Sequence, residues 1–283
     1  MPAPDRDAPA TMTAFSLAGR VAIVTGAAGL LGRQHCRALA DAGAAVVATD
    51  LQEDTCRDVV SELAAEGRRD IHAFPADITD PASLGRLREA ALRINDRIDV
   101  LINNAAMNDR FENAATAAAQ SRFENYPVDR FRQALDVNVT GTFLACQVLG
   151  SEMARRGRGS IVNIASTYGM VGPDQRIYRG EAGEQRFWKS AAYPASKGAV
   201  LAFTRYLATT WADRGVRVNS LSPGGIAQTG QDTVFVAHYS QRTPLARMAE
   251  AHEMRGAIVF LASDASSYMT GANLVVDGGW TAW

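Results

Sequence analysis

Only three cysteines, Cys36, Cys56 and Cys146, occur in 283 residues, and no two form a Cys-x-x-Cys pair. An odd, scattered set excludes a disulfide framework and fits reduced thiols in the cytoplasm. Histidine is equally sparse: His35, His72, His238 and His252 show no metal-ligand spacing, so no metal site is expected. Charge of one sign is also lacking, since 29 basic and 30 acidic residues leave a formal net charge of −1. That balance offers no surface for nucleic acid or an anionic membrane, and neither is expected as a partner. No apolar run approaches the ~18 residues that a membrane span needs. The opening MPAPDRDAPATMTAF carries no apolar segment of the signal-peptide kind. Residues 1–14 read as a flexible N-terminal tail, and residues 15–283 as one domain.

What the chain has is alternation. Short β-branched runs stand at Val21–Thr25, Ala45–Asp50, Ile71–Phe74, Val100–Asn103, Ser160–Ala165, Val216–Leu221 and Asn273–Val276. Their near-continuous apolar character predicts strands buried on both faces. Helical patterns fill the gaps, at about 30–42, 53–66, 81–94, 128–155, 193–213 and 250–262. Strand and helix taking turns predicts an α/β fold, a doubly wound parallel sheet of about seven strands with helices on both faces. Two stretches break the rhythm: Met107–Pro127, rich in Asn, Ala and Glu, and the long polar loop Gly169–Lys189. Loops of that length are often binding loops or lids.

The first strand runs into Thr25-Gly26-Ala27-Ala28-Gly29-Leu30-Leu31-Gly32 and then a helix. Glycines there permit a tight turn and close backbone approach to a pyrophosphate, which sits at the helix N-terminus. Asp50 ends the second strand, where a carboxylate accepts hydrogen bonds from ribose hydroxyls and repels a 2′-phosphate. No Lys or Arg lies inside the turn, although Arg33 follows it, so NAD is favoured over NADP. As a structural residue Asp50 would cap a helix. Asp77-Ile78, after the third strand, either touches the adenine or caps the next helix.

In Tyr193-Pro194-Ala195-Ser196-Lys197 a phenol and an ammonium stand one helical turn apart on one face. A nearby Lys⁺ favours the phenolate and lowers a pKa that is ordinarily about 10. Such a tyrosine can exchange a proton with an alcohol or ketone. With the glycine turn, this pair resembles the short-chain dehydrogenase/reductase family, whose Rossmann fold matches the alternation above. Further similarity runs over residues 20–283. Asn103-Asn104-Ala105-Ala106 resembles the family's Asn-Asn-Ala-Gly, Asn138 its helix asparagine, Ser166 its serine, Pro223-Gly224 its nicotinamide turn and Gly271–Gly279 its last strand.

The resemblance implies roles. Tyr193 is the general acid or base, Lys197 supports its phenolate and holds the nicotinamide ribose, and Ser166 holds the substrate oxygen. Asn138 positions a water that links Lys197 to solvent. Gly26, Gly29, Leu30, Leu31, Asp50, Leu51, Asp77, Ile78, Asn104, Ala105, Ala106, Pro223, Gly224 and Ile226 surround the cofactor. Two departures stand out: the middle glycine is Gly29, with Leu30 in its usual slot, and Ala106 replaces the last glycine of Asn-Asn-Ala-Gly.

The long loop carries Asp174, Gln175, Arg176, Tyr178, Arg179, Arg186 and Lys189, a lining suited to a polyhydroxylated or anionic substrate. Ser166, Tyr168, Arg176, Tyr178 and Tyr193 are the expected substrate contacts. The loop and the ending Gly279–Trp283 resemble a sugar-associated subgroup that includes gluconate-type dehydrogenases. A ketoreductase of lipid or natural-product synthesis is the alternative, although Asp50 and Ala27-Ala28 argue against its usual NADPH. A non-catalytic NAD-binding sensor would tend to lose the Tyr or Lys, and both are present. By analogy the helices 128–155 and 193–213 build a homotetramer or homodimer, with Trp280–Trp283 packed on a neighbour.

Overall fold

A computed structural model describes residues 10–108 and 114–283. Along the chain lie β1 (Val21–Thr25), α1 (Leu30–Asp41), β2 (Ala45–Thr49), α2 (Glu53–Ala65), β3 (Ile71–Ala73), α3 (Pro81–Asn95) and β4 (Val100–Asn103). Next come α4 (Ala114–Ser121), α5 (Val128–Leu135), α6 (Thr142–Ala145), α7 (Ser151–Arg156) and β5 (Gly159–Ile164). The last elements are α8 (Ala192–Trp211), β6 (Val216–Pro223), α9 (Thr233–Arg242), α10 (Arg255–Ala262) and β7 (Asn273–Val276). The strands form one parallel sheet in the order β3-β2-β1-β4-β5-β6-β7. Chain direction across the sheet reverses between β1 and β4, and ligands of such sheets bind at the strand ends beside that reversal.

Side-chain alternation explains why each strand reads as an unbroken apolar run. Val21 and Ile23 of β1 enter one core with Leu101 and Ile161, while Ala22 and Val24 enter a second core with Val46 and Ile102. Helices cover both faces, so neither set can be polar. Burying one such leucine contributes roughly 1.5–3 kcal/mol relative to leaving it in water.

Where a single helix is expected over 128–155, α5, α6 and α7 run on continuously but are separated by π-helical turns at Asp136–Gly141 and Cys146–Gly150. Each wide turn ends at a glycine pressed against a neighbour. A Cβ on Gly141 would lie 2.6 Å from Ile78 Cδ1, and one on Gly150 2.8 Å from the Trp211 ring. The backbone angles flanking these turns are ordinary helical values, so sequence pattern alone does not reveal them.

Of the expected tail, residues 1–9 lie outside the described residues, while Thr13–Phe15 form a 3₁₀ turn whose Phe15 ring sits 6.5 Å from that of Phe260. The long loop is packed rather than loose. Gln175 Nε2 donates to the Lys189 carbonyl at 3.0 Å and Gln175 Oε1 accepts from the Lys189 N–H at 2.8 Å. Tyr178 stacks on Phe235 of α9 with centroids 5.4 Å apart. Trp280, expected against a neighbouring copy, is covered by this chain's own Tyr239, with ring centroids 4.2 Å apart, whereas Trp283 is exposed. The three cysteines are free and buried. Among the described residues no helix is long and apolar enough to cross a membrane, and no cluster of ligating side chains could hold a metal ion.

Candidate active site

β1 delivers the chain into Gly26, whose φ of +63° L side chains rarely adopt. A Cβ there would sit 2.7 Å from Ala105 Cα, and a Cβ on Gly32 would sit 2.1 Å from the Gly26 carbonyl oxygen. The turn is therefore folded against the end of β4 with no room for side chains. Asn104 Nδ2 closes it by donating to the carbonyls of Thr25 and Gly26, at 3.1 and 2.9 Å. Gly29 sits more openly, donating its N–H to the Gly26 carbonyl at 3.1 Å. Moving the middle glycine therefore leaves the cradle intact, and Leu30 is partly exposed.

Asp50 is not a helix cap. One carboxylate oxygen accepts from the Ala28 N–H at 3.1 Å and the other from the Leu51 N–H at 2.9 Å, so the carboxylate faces the glycine turn. Arg33 is turned elsewhere, donating to the Ala28 carbonyl at 3.1 Å and pairing with Glu62. Nor does Asp77 cap α3. Asp80 does, accepting from the Ala82 and Ser83 N–H groups at 2.9 and 3.1 Å. Every residue expected to bind the cofactor, from Gly26 to Ile226, lines one cleft of about 870 Å³ together with Ser166, Tyr168, Tyr178, Tyr193 and Lys197.

α8 begins at Ala192, which puts Tyr193 in its first turn. Pro194 is tolerated there because first-turn N–H groups have no intrahelical partner. Lys197, one turn on, is buried and donates from Nζ to the Ile164 carbonyl at 2.7 Å, with its ammonium 5.7 Å from the Tyr193 ring centroid. Burial pulls the Lys197 ammonium down to about 8, and the positive charge of Lys189 adds to the effect. Burial also pushes the Tyr193 phenol up, against an opposing hydrogen bond from Ser166. This direction is opposite to the lowering expected from the Tyr-Lys spacing. Desolvation of the ring is the larger cause, and the Lys197 ammonium bonds to the Ile164 carbonyl instead.

Ser166 stands at the end of β5 in extended backbone, where its Oγ accepts from the Tyr168 N–H at 3.2 Å. Asn138 does not reach the cleft. It is buried in the first π turn, where Oδ1 accepts from the Met107 N–H at 2.6 Å. Its Nδ2 donates to the Met107 carbonyl at 3.0 Å and to Ser196 Oγ at 2.9 Å. Tyr168 and Tyr178 meet at their hydroxyls, 3.2 Å apart, and burial pushes the Tyr178 phenol up to about 12.

Arg176 is the expected substrate contact that the fold does not deliver. Asp174, two residues earlier, captures its guanidinium at 2.8 Å, and it lies 70% exposed at a separate surface hollow beside Arg242. The loop cation that does line the cleft is Lys189, and Asn108, Gln228, Gln231, Phe235 and Met248 line it too. Lys189 is visible in the sequence only as one of several loop charges; Gln228 to Met248 carry no motif.

A parallel, doubly wound sheet with a glycine cradle, an acid at the end of β2 and a Ser, Tyr and Lys in one cleft defines a nicotinamide-dependent oxidoreductase class. The family model described as Enoyl-(Acyl carrier protein) reductase matches residues 26–281. The chain belongs to the short-chain dehydrogenase/reductase family of oxidoreductases. It is 35% identical to a D-threitol dehydrogenase of Mycolicibacterium smegmatis, over 94% of this chain and 95% of that one. It is 34% identical to a cyclopentanol dehydrogenase of Comamonas, over 93% and 97%. A crystal structure of a gluconate 5-dehydrogenase from Burkholderia cenocepacia in complex with NADP and tartrate aligns with a TM-score of 0.83 at 29% identity, over 97% of this chain and all of that one.

Proposed function

We propose that this protein transfers a hydride between NAD and a secondary alcohol or ketone, with a polyhydroxylated substrate such as a polyol or sugar acid. The observation that carries the reading is the convergence of Ser166, Tyr193 and Lys197 on the cleft that Gly26 and Asp50 open into. The glycine turn fits a pyrophosphate because a Cβ at Gly26 or Gly32 would strike the backbone of Ala105 or of Gly26 and force the tight turn open. Asp50 would take the adenosine ribose hydroxyls, and Arg33, the cation that follows the turn, is engaged by Glu62 and the Ala28 carbonyl rather than held for a 2′-phosphate. This supports NAD although the gluconate 5-dehydrogenase binds NADP.

The bound nicotinamide supplies the hydride acceptor or donor. In oxidation Tyr193, as phenolate, takes the hydroxyl proton of the substrate; in reduction it returns a proton to the carbonyl oxygen. Ser166 Oγ holds the substrate oxygen beside Tyr193, and Lys197 holds the nicotinamide ribose and offsets the phenolate charge. Asn138 acts one layer back, fixing the Met107 backbone and the start of α8 through Ser196, on the path by which a water would link Lys197 to solvent.

Substrate class is supported by Asn108, Lys189, Gln228 and Gln231, polar residues that line the cleft. Aromatic rings line the same cleft, with Tyr178 stacked on Phe235 and Tyr239 close by, and this favours a second reading as an alicyclic alcohol dehydrogenase. Initial rates of NADH and NADPH formation across polyols, sugar acids and cyclic alcohols separate the two. Turnover of polyols or sugar acids with NAD⁺ supports the first reading; turnover confined to cyclic alcohols, or a preference for NADP⁺, overturns it.

Assembly as a homotetramer is supported by the half-exposed Phe143, which meets Phe203 of α8 with centroids 5.9 Å apart, and by exposed Tyr206 on the same helix. Light scattering reads this directly, and a monomer would refute it. The free, buried cysteines support a reducing, cytoplasmic setting.

A further inference from the structure

We propose that Lys189 is a positioning residue for proton transfer at Tyr193, a second ammonium held against the ring so that the phenolate is favoured. The inference rests on the reading of Tyr193 as the acid/base group. In sequence the three residues form Lys189-x-x-x-Tyr193-x-x-x-Lys197. Only the second spacing is helical, because α8 starts at Ala192. The first is made by the loop, and it brings the Lys189 ammonium to 4.1 Å from the Tyr193 ring centroid, closer than the 5.7 Å of Lys197.

Lys189 is built into place rather than waving on the surface. Gln175 clamps its backbone from both sides, at 2.8 and 3.0 Å, and the preceding Trp188 N–H donates to Ser121 Oγ at 2.9 Å. The ammonium itself donates to Asn108 Oδ1, across the cleft mouth from the loop that follows β4. A cation over a neutral phenol ring gains from the ring quadrupole; once the ring carries a full negative charge the attraction is larger. The charge therefore lowers the cost of ionising Tyr193. Among the described residues, the groups that face or act on this ring are Lys197 from α8 itself, Ser166 after β5, Tyr168 in the turn beyond it, and Tyr178 and Lys189 from the long loop. The two tyrosines are neutral at ordinary pH, burial having pushed both upward. Among these groups the two lysines carry the charge, and both favour the phenolate. The same pair repel each other, and the Lys189 charge helps to pull Lys197 down.

Two variants separate charge from structure. Lys189→Gln keeps an amide donor for Asn108 and removes the charge; Lys189→Arg keeps the charge. The pH profile of kcat/KM is followed with a neutral polyol, alongside ultraviolet titration of phenolate in the cofactor-free protein, with Tyr193→Phe as the subtraction blank. The expected result is a Tyr193 pKa raised by about one unit in Lys189→Gln and restored to near the parent value in Lys189→Arg. An unmoved pKa in Lys189→Gln overturns the proposal. A KM rise confined to anionic substrates at an unmoved pKa also overturns it, and makes Lys189 a substrate anchor instead. If the parent oxidises no alcohol, the functional reading fails, while the phenolate titration still decides the role of Lys189.

Discussion

Asn138 Nδ2 donates to Ser196 Oγ across 2.9 Å, and Ser196 Oγ in turn donates to the Tyr193 carbonyl at 2.8 Å. A side chain in a π turn is thereby wired to the first turn of the helix that carries Tyr193. The wide turn explains the arrangement, because an extra residue per turn re-aims a side chain that a regular helix would hold elsewhere.

Asn138→Ala removes this link and both bonds to the Met107 backbone, leaving buried polar groups unmet. Loss of about 1–3 kcal/mol of stability is expected for each group left unsatisfied. Turnover should fall on the order of 10²-fold through misplacement of the acid/base group, while NAD binding is weakened less. Denaturant melts and steady-state rates read the two effects. A variant with parental rates would show that the Asn138–Ser196 bond does not position Tyr193.

The glycines of the cradle are not equivalent. Gly32→Ala puts a methyl 2.1 Å from the Gly26 carbonyl oxygen, whereas Gly29→Ala meets the same oxygen at 3.2 Å. Overpacking of the first kind typically costs ~1–3 kcal/mol. Calorimetric titration with NAD should find Gly32→Ala severely impaired and Gly29→Ala only mildly so. The reverse order would mean that the turn follows a different backbone path.

Asp50 decides the cofactor in this account. Asp50→Ala removes a charged hydrogen-bond acceptor worth ~1.5–3 kcal/mol to the ribose hydroxyls, which is roughly tenfold or more in affinity. The NAD-to-NADP preference should fall by that factor, read as the ratio of kcat/KM values. An unchanged ratio would move cofactor selection away from β2.

Lys197 gives the cofactor-free protein a pH signature. Burial holds its ammonium down to about 8 from 10.5. Between those values the unfolded chain binds more protons than the folded one, so stability rises with pH across that window. Below it the penalty of the buried charge is fully present. The stability of the parent minus that of Lys197→Met should increase on the order of 2–3 kcal/mol from about pH 7.5 to 10.5. A flat difference would mean that the ammonium is solvated.

The strands are legible because burial on both faces forces apolar runs, and Val21–Thr25, Val100–Asn103 and Asn273–Val276 match residue for residue. Asp50 and the Tyr193–Lys197 pair are legible because their spacing carries chemistry. α9 is missed because Thr233–Arg242 fully buries only Tyr239, with Phe235 and Val236 half-covered, and its start is marked by a single capping residue, Asp232. Arg176 misleads because a neighbouring Asp174 competes for it, and sequence does not say which partner wins. Lys189 reaches the cleft only through tertiary clamps on its loop, made by Gln175 and Ser121. No local pattern encodes those.

The most direct test is Tyr193→Phe, assayed for turnover and for NAD binding in the same preparation. With Tyr193 as the acid/base group, binding stays intact and turnover falls about 10²–10⁴-fold, the usual contribution of such a positioned group. Parental turnover in Tyr193→Phe would contradict it.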